Sequence, residues 1–101
     1  MSVRVMVSGS IHRPEDIPAF EAAFTQVSKN VRGTPGHIKD ELLRDAEDPL
    51  TFILLGEWKS KEEFLSWEES PVHRQVTAPM RPYWKYSGER KLFDVAVRPA
   101  G

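Results

Sequence analysis

Between Glu57 and His73 the chain reads EWKSKEEFLSWEESPVH, and here residue types and spacing come closest to chemistry. Trp67 offers a flat apolar wall and one indole N–H donor. His73, beyond the Ser70-Pro71 break, offers an imidazole that can take a proton near neutral pH or ligate iron. Ser8 could hydrogen-bond a substrate oxygen, since Gly9 beside it permits close backbone approach. His37, at a strand start, is a further candidate donor or base. Each has a plainer reading: Trp67 as a core aromatic, His73 as a solvated residue near a helix start, His12 and His37 as strand-end residues. The Glu62, Glu63, Glu68 and Glu69 cluster reads as a solvated helix face. Tyr83, Trp84 and Tyr86 read as a pocket mouth or as packing across a subunit interface. The histidines lack the His-x-x-x-His spacing of a metal site, and no histidine and acid accompany a serine as a triad.

The elements that must position these residues are legible from periodicity. Val3, Val5 and Val7 alternate with Arg4, Met6 and Ser8, and the period of two runs on to Ile11, which predicts a half-buried strand over residues 3–11. Ile17, Phe20, Phe24, Val27 and Val31 form one helical stripe, ended by Gly33-Thr34-Pro35-Gly36. His37 to Arg44 predicts a second strand, with Ile38 and Leu42 on one face and His37, Lys39 and Glu41 on the other. Asp45 to Pro49 then makes a polar hairpin connection. Phe52-Ile53-Leu54-Leu55 is apolar on both faces, as in a central strand, and ends at Glu57-Trp58. Ser60-Lys61-Glu62-Glu63 is a capping box opening a helix with Phe64 and Trp67 on one face. Ser70-Pro71 interrupts that helix and restarts it, Val72 and Val76 continue an inner stripe, and Pro79 and Pro82 stop it. A turn is predicted at Ser87-Gly88, a last strand over 91–97, and a tail from Arg98.

With 101 residues, 40% hydrophobic and 29% charged, the composition suits a single domain, 1–101, with its core over about 3–97. A formal net charge of -1 leaves no basic footprint for nucleic acid. Cysteine is absent, which removes disulfides, thiolate nucleophiles and iron-sulfur clusters and suits a cytoplasmic location. Neither an apolar leader nor an 18-residue apolar run occurs, so membrane association is not expected. Helices enough for one face of the sheet leave the other apolar face to a partner, which predicts a homodimer through the sheet.

The order βαββαβ predicts an α+β, ferredoxin-like antiparallel sheet with helices on one face. Pro35-Gly36 opens the second strand, Asp48-Pro49-Leu50-Thr51-Phe52-Ile53 the third, and Glu57-Trp58 precedes Ser60-Lys61-Glu62-Glu63-Phe64. Together these resemble the antibiotic biosynthesis monooxygenase family over roughly residues 3–97, implying a dimeric α+β barrel. That resemblance implies one of two activities. Some members oxidise anthrones or quinols with dioxygen without metal or flavin, and others bind and degrade haem. Haem-degrading members carry a tryptophan nine residues after the strand tryptophan, as Trp67 follows Trp58. They also carry a strand-1 asparagine where this chain has Ser8 or its neighbours, and an iron-binding histidine near position 77, which here is Thr77.

These readings predict a cofactor-independent monooxygenase acting on a small hydrophobic, aromatic, quinol or polyketide-type substrate, with His73, Trp67, Ser8 and His37 as catalytic candidates. The alternatives are haem degradation, with His73 and Trp67 holding the haem, and a non-catalytic dimer that binds a small ligand.

Overall fold

The computed structural model describes residues 1–100. Four strands, β1 (Val3–Ile11), β2 (His37–Arg44), β3 (Thr51–Trp58) and β4 (Trp84–Asp94), form one sheet in the order β2-β3-β1-β4. Every neighbouring pair is antiparallel. The helices α1 (Ile17–Val31), α2 (Lys61–Glu68) and α3 (His73–Thr77) pack on one face, and 3-10 turns cover Pro14–Asp16 and Ala78–Tyr83. This is the expected ferredoxin-like arrangement.

Alternation decides which side chains meet the helices. Val3, Val5 and Val7 pair in register with Trp58, Gly56 and Leu54, so all six positions share the helix-covered face. Val3, Val5, Val31, Trp58 and Phe64 form one buried cluster, and Ile11, Phe20, Val27, Phe52 and Met80 form another. Phe20, fully buried, stands edge-on to Phe52 at 4.9 Å and to Trp84 at 5.0 Å. Burial of one such ring is worth about 1.5–3 kcal/mol.

Several details depart from the sequence-based expectation. β4 begins at Trp84 and runs through Ser87-Gly88 without a turn, ending at Asp94 instead of Val97. Register shifts against β1 between Val7 and Gly9, and again between Ser10 and Ile11, absorb the irregularity, so the glycine marks a distorted strand, not its start. Gly9 is required at the first of these shifts, because a Cβ there would lie 2.6 Å from the Tyr86 carbonyl oxygen and 2.7 Å from the Trp84 ring. The aromatic trio is divided: Tyr83 and Trp84 pack against Phe20, whereas Tyr86 is 58% exposed. In β2 a register shift between His37 and Lys39 turns Ile38 outward and the His37 side chain inward. Val72 is exposed because α3 begins only at His73, leaving Val76 to pack on both clusters. Pro79 and Pro82 tighten the chain into a 3-10 turn.

The sheet face opposite the helices carries Met6, Ile53 and Leu55, half-buried, with Leu43, Tyr86 and Phe93 more exposed. At its edge Glu57, only 5% exposed, pairs with Arg98 from the C-terminal tail. Among the described residues no helix is long and apolar enough to cross a membrane.

The entry to α2 is secured as expected, with one difference in partner. Ser60 Oγ accepts from the Glu63 backbone N–H at 3.1 Å, while the Glu63 carboxylate accepts from the same hydroxyl, also at 3.1 Å. Ser60→Ala should therefore lower stability by about 1 kcal/mol, read as a drop in the urea midpoint with an unchanged slope.

Candidate active site

A cavity of about 130 Å³ lies between the sheet and the helices. Its apolar walls are Val5, Val7 and Leu54 from the sheet, Phe24, Val27 and Val31 from α1, and Phe64 from α2. An apolar cavity of about 150 Å³ holds a benzene ring, so this one has the scale of a single aromatic ring.

Polar groups enter the wall from two sides. On the α2–α3 side stand Trp67, Glu68, His73 and Thr77. Trp67 stacks on Trp58 with centroids 5.2 Å apart and receives His73 edge-on at 4.6 Å. Its Nε1–H is buried without a partner, as is Ser70 Oγ, the other such atom among the described residues. A buried donor left unpaired costs about 1–3 kcal/mol. Glu68 is not the solvated residue its sequence context suggests. It accepts from Arg90 Nε and Nη2, each at 2.6 Å, with the guanidinium over the Phe64 ring.

On the β2–α1 side stand Asp40, Glu41 and Ser28. Ser28 Oγ donates to Asp40 Oδ2 at 3.1 Å, and His37 Nε2 meets Asp40 Oδ1 at 3.0 Å. The His37 side chain is 6% exposed and edge-on to Trp58. Asp40 and Ser28 were not singled out from the sequence, since they lie twelve residues apart on different elements and meet only in the fold. The usable signal was the acid three positions after His37, but only the register shift in β2 turns both side chains inward.

Of the four candidates, the structure brings Trp67 and His73 together in the cavity wall. His37 lies behind Asp40, outside the lining. Ser8 stands opposite Ile53 on the other face of the sheet, away from the cavity, because it occupies the alternate phase from the inward valines. No group of three or more His, Cys, Asp or Glu side chains suited to a metal ion occurs among the described residues.

The donor set does not make a haem site as arranged. Thr77 Oγ1 donates back to the His73 carbonyl at 3.0 Å, and the His73 ring is packed against Trp67. The cavity is also below the ~300–1,000 Å³ of drug-sized ligand sites.

Burial lowers the His73 pKa from its ordinary 6.5, nearby Arg81 lowers it further, and Glu68 opposes both. Below pH 6.5 the unfolded chain therefore takes up a proton that the folded chain resists. Stability contributed by neutral His73 is present above 6.5 and lost as pH falls through the lowered folded value. An NMR titration should place the His73 midpoint below 6.5, with Glu68→Gln moving it further down and Arg81→Gln moving it up.

The family profile for antibiotic biosynthesis monooxygenase matches residues 2–78. SchA of Streptomyces halstedii is 38% identical over 61 residues, which is 60% of this chain and 16% of that protein. A haem-degrading monooxygenase of Listeria monocytogenes is 32% identical over 85 residues, 83% of this chain and 50% of that protein. The chain thus spans half or less of these curated relatives. Among solved structures, SnoaB of Streptomyces nogalater, a cofactor-independent oxygenase, superposes with a TM-score of 0.79 at 18% identity, covering 96% of this chain and 95% of that one. An antibiotic biosynthesis monooxygenase-like protein of Bordetella bronchiseptica superposes at 0.83 with 14% identity, covering 95% and 98%. With the profile spanning most of its length and the same fold shared throughout, the chain belongs to the antibiotic biosynthesis monooxygenase family.

Proposed function

We propose that this protein is a cofactor-independent monooxygenase for a small, single-ring phenol or quinol, with His73 as the base. The observation that carries the reading is the half-buried imidazole, biased toward its neutral form, in the wall of a ring-sized apolar cavity beside an unpaired indole N–H. Neutral His73 takes the hydroxyl proton, and the electron-rich ring that results reacts with dioxygen directly. One oxygen atom enters the ring and the other leaves as water, the substrate supplying all the electrons. The walls around the imidazole are mostly apolar, from Val5, Val7, Leu54, Phe24, Val27 and Phe64, and hold the ring against the base. SnoaB, a cofactor-independent oxygenase of the same fold, supports the class of reaction.

An oxygen electrode with hydroquinone and its alkyl derivatives should record uptake above the protein-free rate. His73→Gln should reduce kcat by about 100-fold or more. Because the base works only when unprotonated, kcat/KM should hold through neutral pH and fall in acid with a midpoint below 6.5. Uptake indifferent to His73, or absent across the panel, overturns the proposal. The Listeria relative makes haem the competing ligand. A saturable Soret shift on titrating micromolar haem, lost in His73→Ala, would replace the quinol reading with haem binding.

The homodimer belongs to the same proposal. The uncovered strip of Met6, Leu43, Ile53, Leu55 and Phe93 is the surface that a second copy of the sheet would bury. Light scattering should give twice the chain mass at micromolar concentration, and Leu55→Asp should return it to the monomer value.

A further inference from the structure

The β2 side of the cavity holds a polar arrangement that the proton transfer to His73 does not use. Asp40 is paired in register with Gly56, which belongs to the cavity lining and offers no side chain. A Cβ placed on Gly56 would lie 3.6 Å from Asp40 Oδ1, 3.5 Å from Trp58 Nε1 and 3.8 Å from Trp58 Cδ1. An acceptor and a donor therefore converge on the space that glycine leaves open. Asp40 is oriented from behind: Ser28 holds Oδ2 at 3.1 Å and His37 holds Oδ1 at 3.0 Å. With a carboxylate oxygen as the acceptor, His37 Nε2 must carry its proton, and Oδ1 keeps a second lone pair for a ligand. Trp58 Nε1 is a donor only, and its ring is fixed between His37, Phe64 and Trp67.

We infer that the space over Gly56 is a hydroxyl-reading subsite, in which a ring hydroxyl donates to Asp40 Oδ1 and accepts from Trp58 Nε1. The pair selects chemistry by complementarity. An ether or a methyl group cannot donate to the carboxylate, and a phenolate is repelled by it, so of these four only a neutral hydroxyl satisfies both partners. Asp40 and Ser28 come from β2 and α1, whereas His73 comes from α3, so the subsite enters the cavity from the other side. Resting on the quinol reading, this specifies its substrate class: one ring with two hydroxyls, one deprotonated by His73 and the other held neutral over Gly56. His37 becomes a positioning residue that acts through Asp40, and the mainly apolar β2–β3 side of the cavity gains directional specificity.

The test compares binding of hydroquinone and 4-methylphenol, which differ by a methyl in place of one hydroxyl, by isothermal calorimetry at neutral pH. The ratio of their affinities in the wild type, divided by the ratio in a variant, isolates the subsite. Gly56→Ala is the sharper variant, because its methyl meets only ordinary contacts and leaves the titrating groups intact while filling the space. It should keep a wild-type thermal midpoint or a higher one, since alanine is less costly than glycine to order in a strand. Its hydroquinone preference should fall about 10-fold or more, the scale of a hydrogen bond to a charged group. Asp40→Asn should lower the preference in the same direction by a smaller factor. A wild type without preference, or a preference unchanged in folded Gly56→Ala, overturns the subsite. Oxygen uptake separates this from the catalytic reading: discrimination without uptake leaves the subsite and removes the oxygenase, and uptake without discrimination does the reverse.

Discussion

Trp58 is the side chain on which the rest of this structure depends. It closes β3 and is 2% exposed. Three aromatic neighbours meet it: His37 from the start of β2 at 5.2 Å, Phe64 at 5.5 Å and Trp67 at 5.2 Å from α2. A buried aromatic with edge and face contacts on several sides has one orientation open to it. Through that single orientation, the end of the sheet sets the position of a helix and of the first inward residue of the edge strand. Trp67 in turn locates His73, whose imidazole is placed by edge-on packing against the indole.

The cavity follows from the same constraint. Large rings on α2 keep the helix away from Val5, Val7 and Leu54, and Gly56 beside Trp58 leaves the wall open where another residue would fill it. What remains is ring-sized and mainly apolar, with polar groups where three helices and an edge strand deliver them. In such surroundings each hydrogen bond counts for more than it would in water, because an unpaired partner cannot be solvated. Glu68 illustrates how the charged groups are managed: its carboxylate is held by Arg90 Nε and Nη2 and does not turn into the cavity unpartnered.

Much of the fold was legible along the chain because burial there is periodic. The alternation of Val3 to Val7 marks β1, the stripe from Ile17 to Val31 marks α1, and Ser60 to Glu63 marks the start of α2, each from residues close in sequence. Legibility failed where the period was broken. In β2 one extra residue reverses the faces of His37 and Ile38, and in β4 two register shifts carry the strand through Ser87-Gly88, which reads locally as a turn. Trp67 and His73 could be singled out beforehand because their spacing and chemistry are local. Asp40 and Ser28 could not, since they join only when α1 crosses β2.

By itself the sequence determined the element order, the apolar faces, the helix start at Ser60 and the side of β1 on which Ser8 stands, because these depend on local periodicity and capping. Only the tertiary structure decided what those faces enclose. Whether Ser8 shares a cavity with His73 depends on which side of the sheet the helices cover. Whether His37 supports Asp40 depends on a register slip of one residue. Whether an indole N–H and a carboxylate converge over Gly56 depends on how β2, β3 and α2 meet around Trp58. These are relations among distant segments, set by how rings and strands fit together, and no window of neighbouring residues contains them.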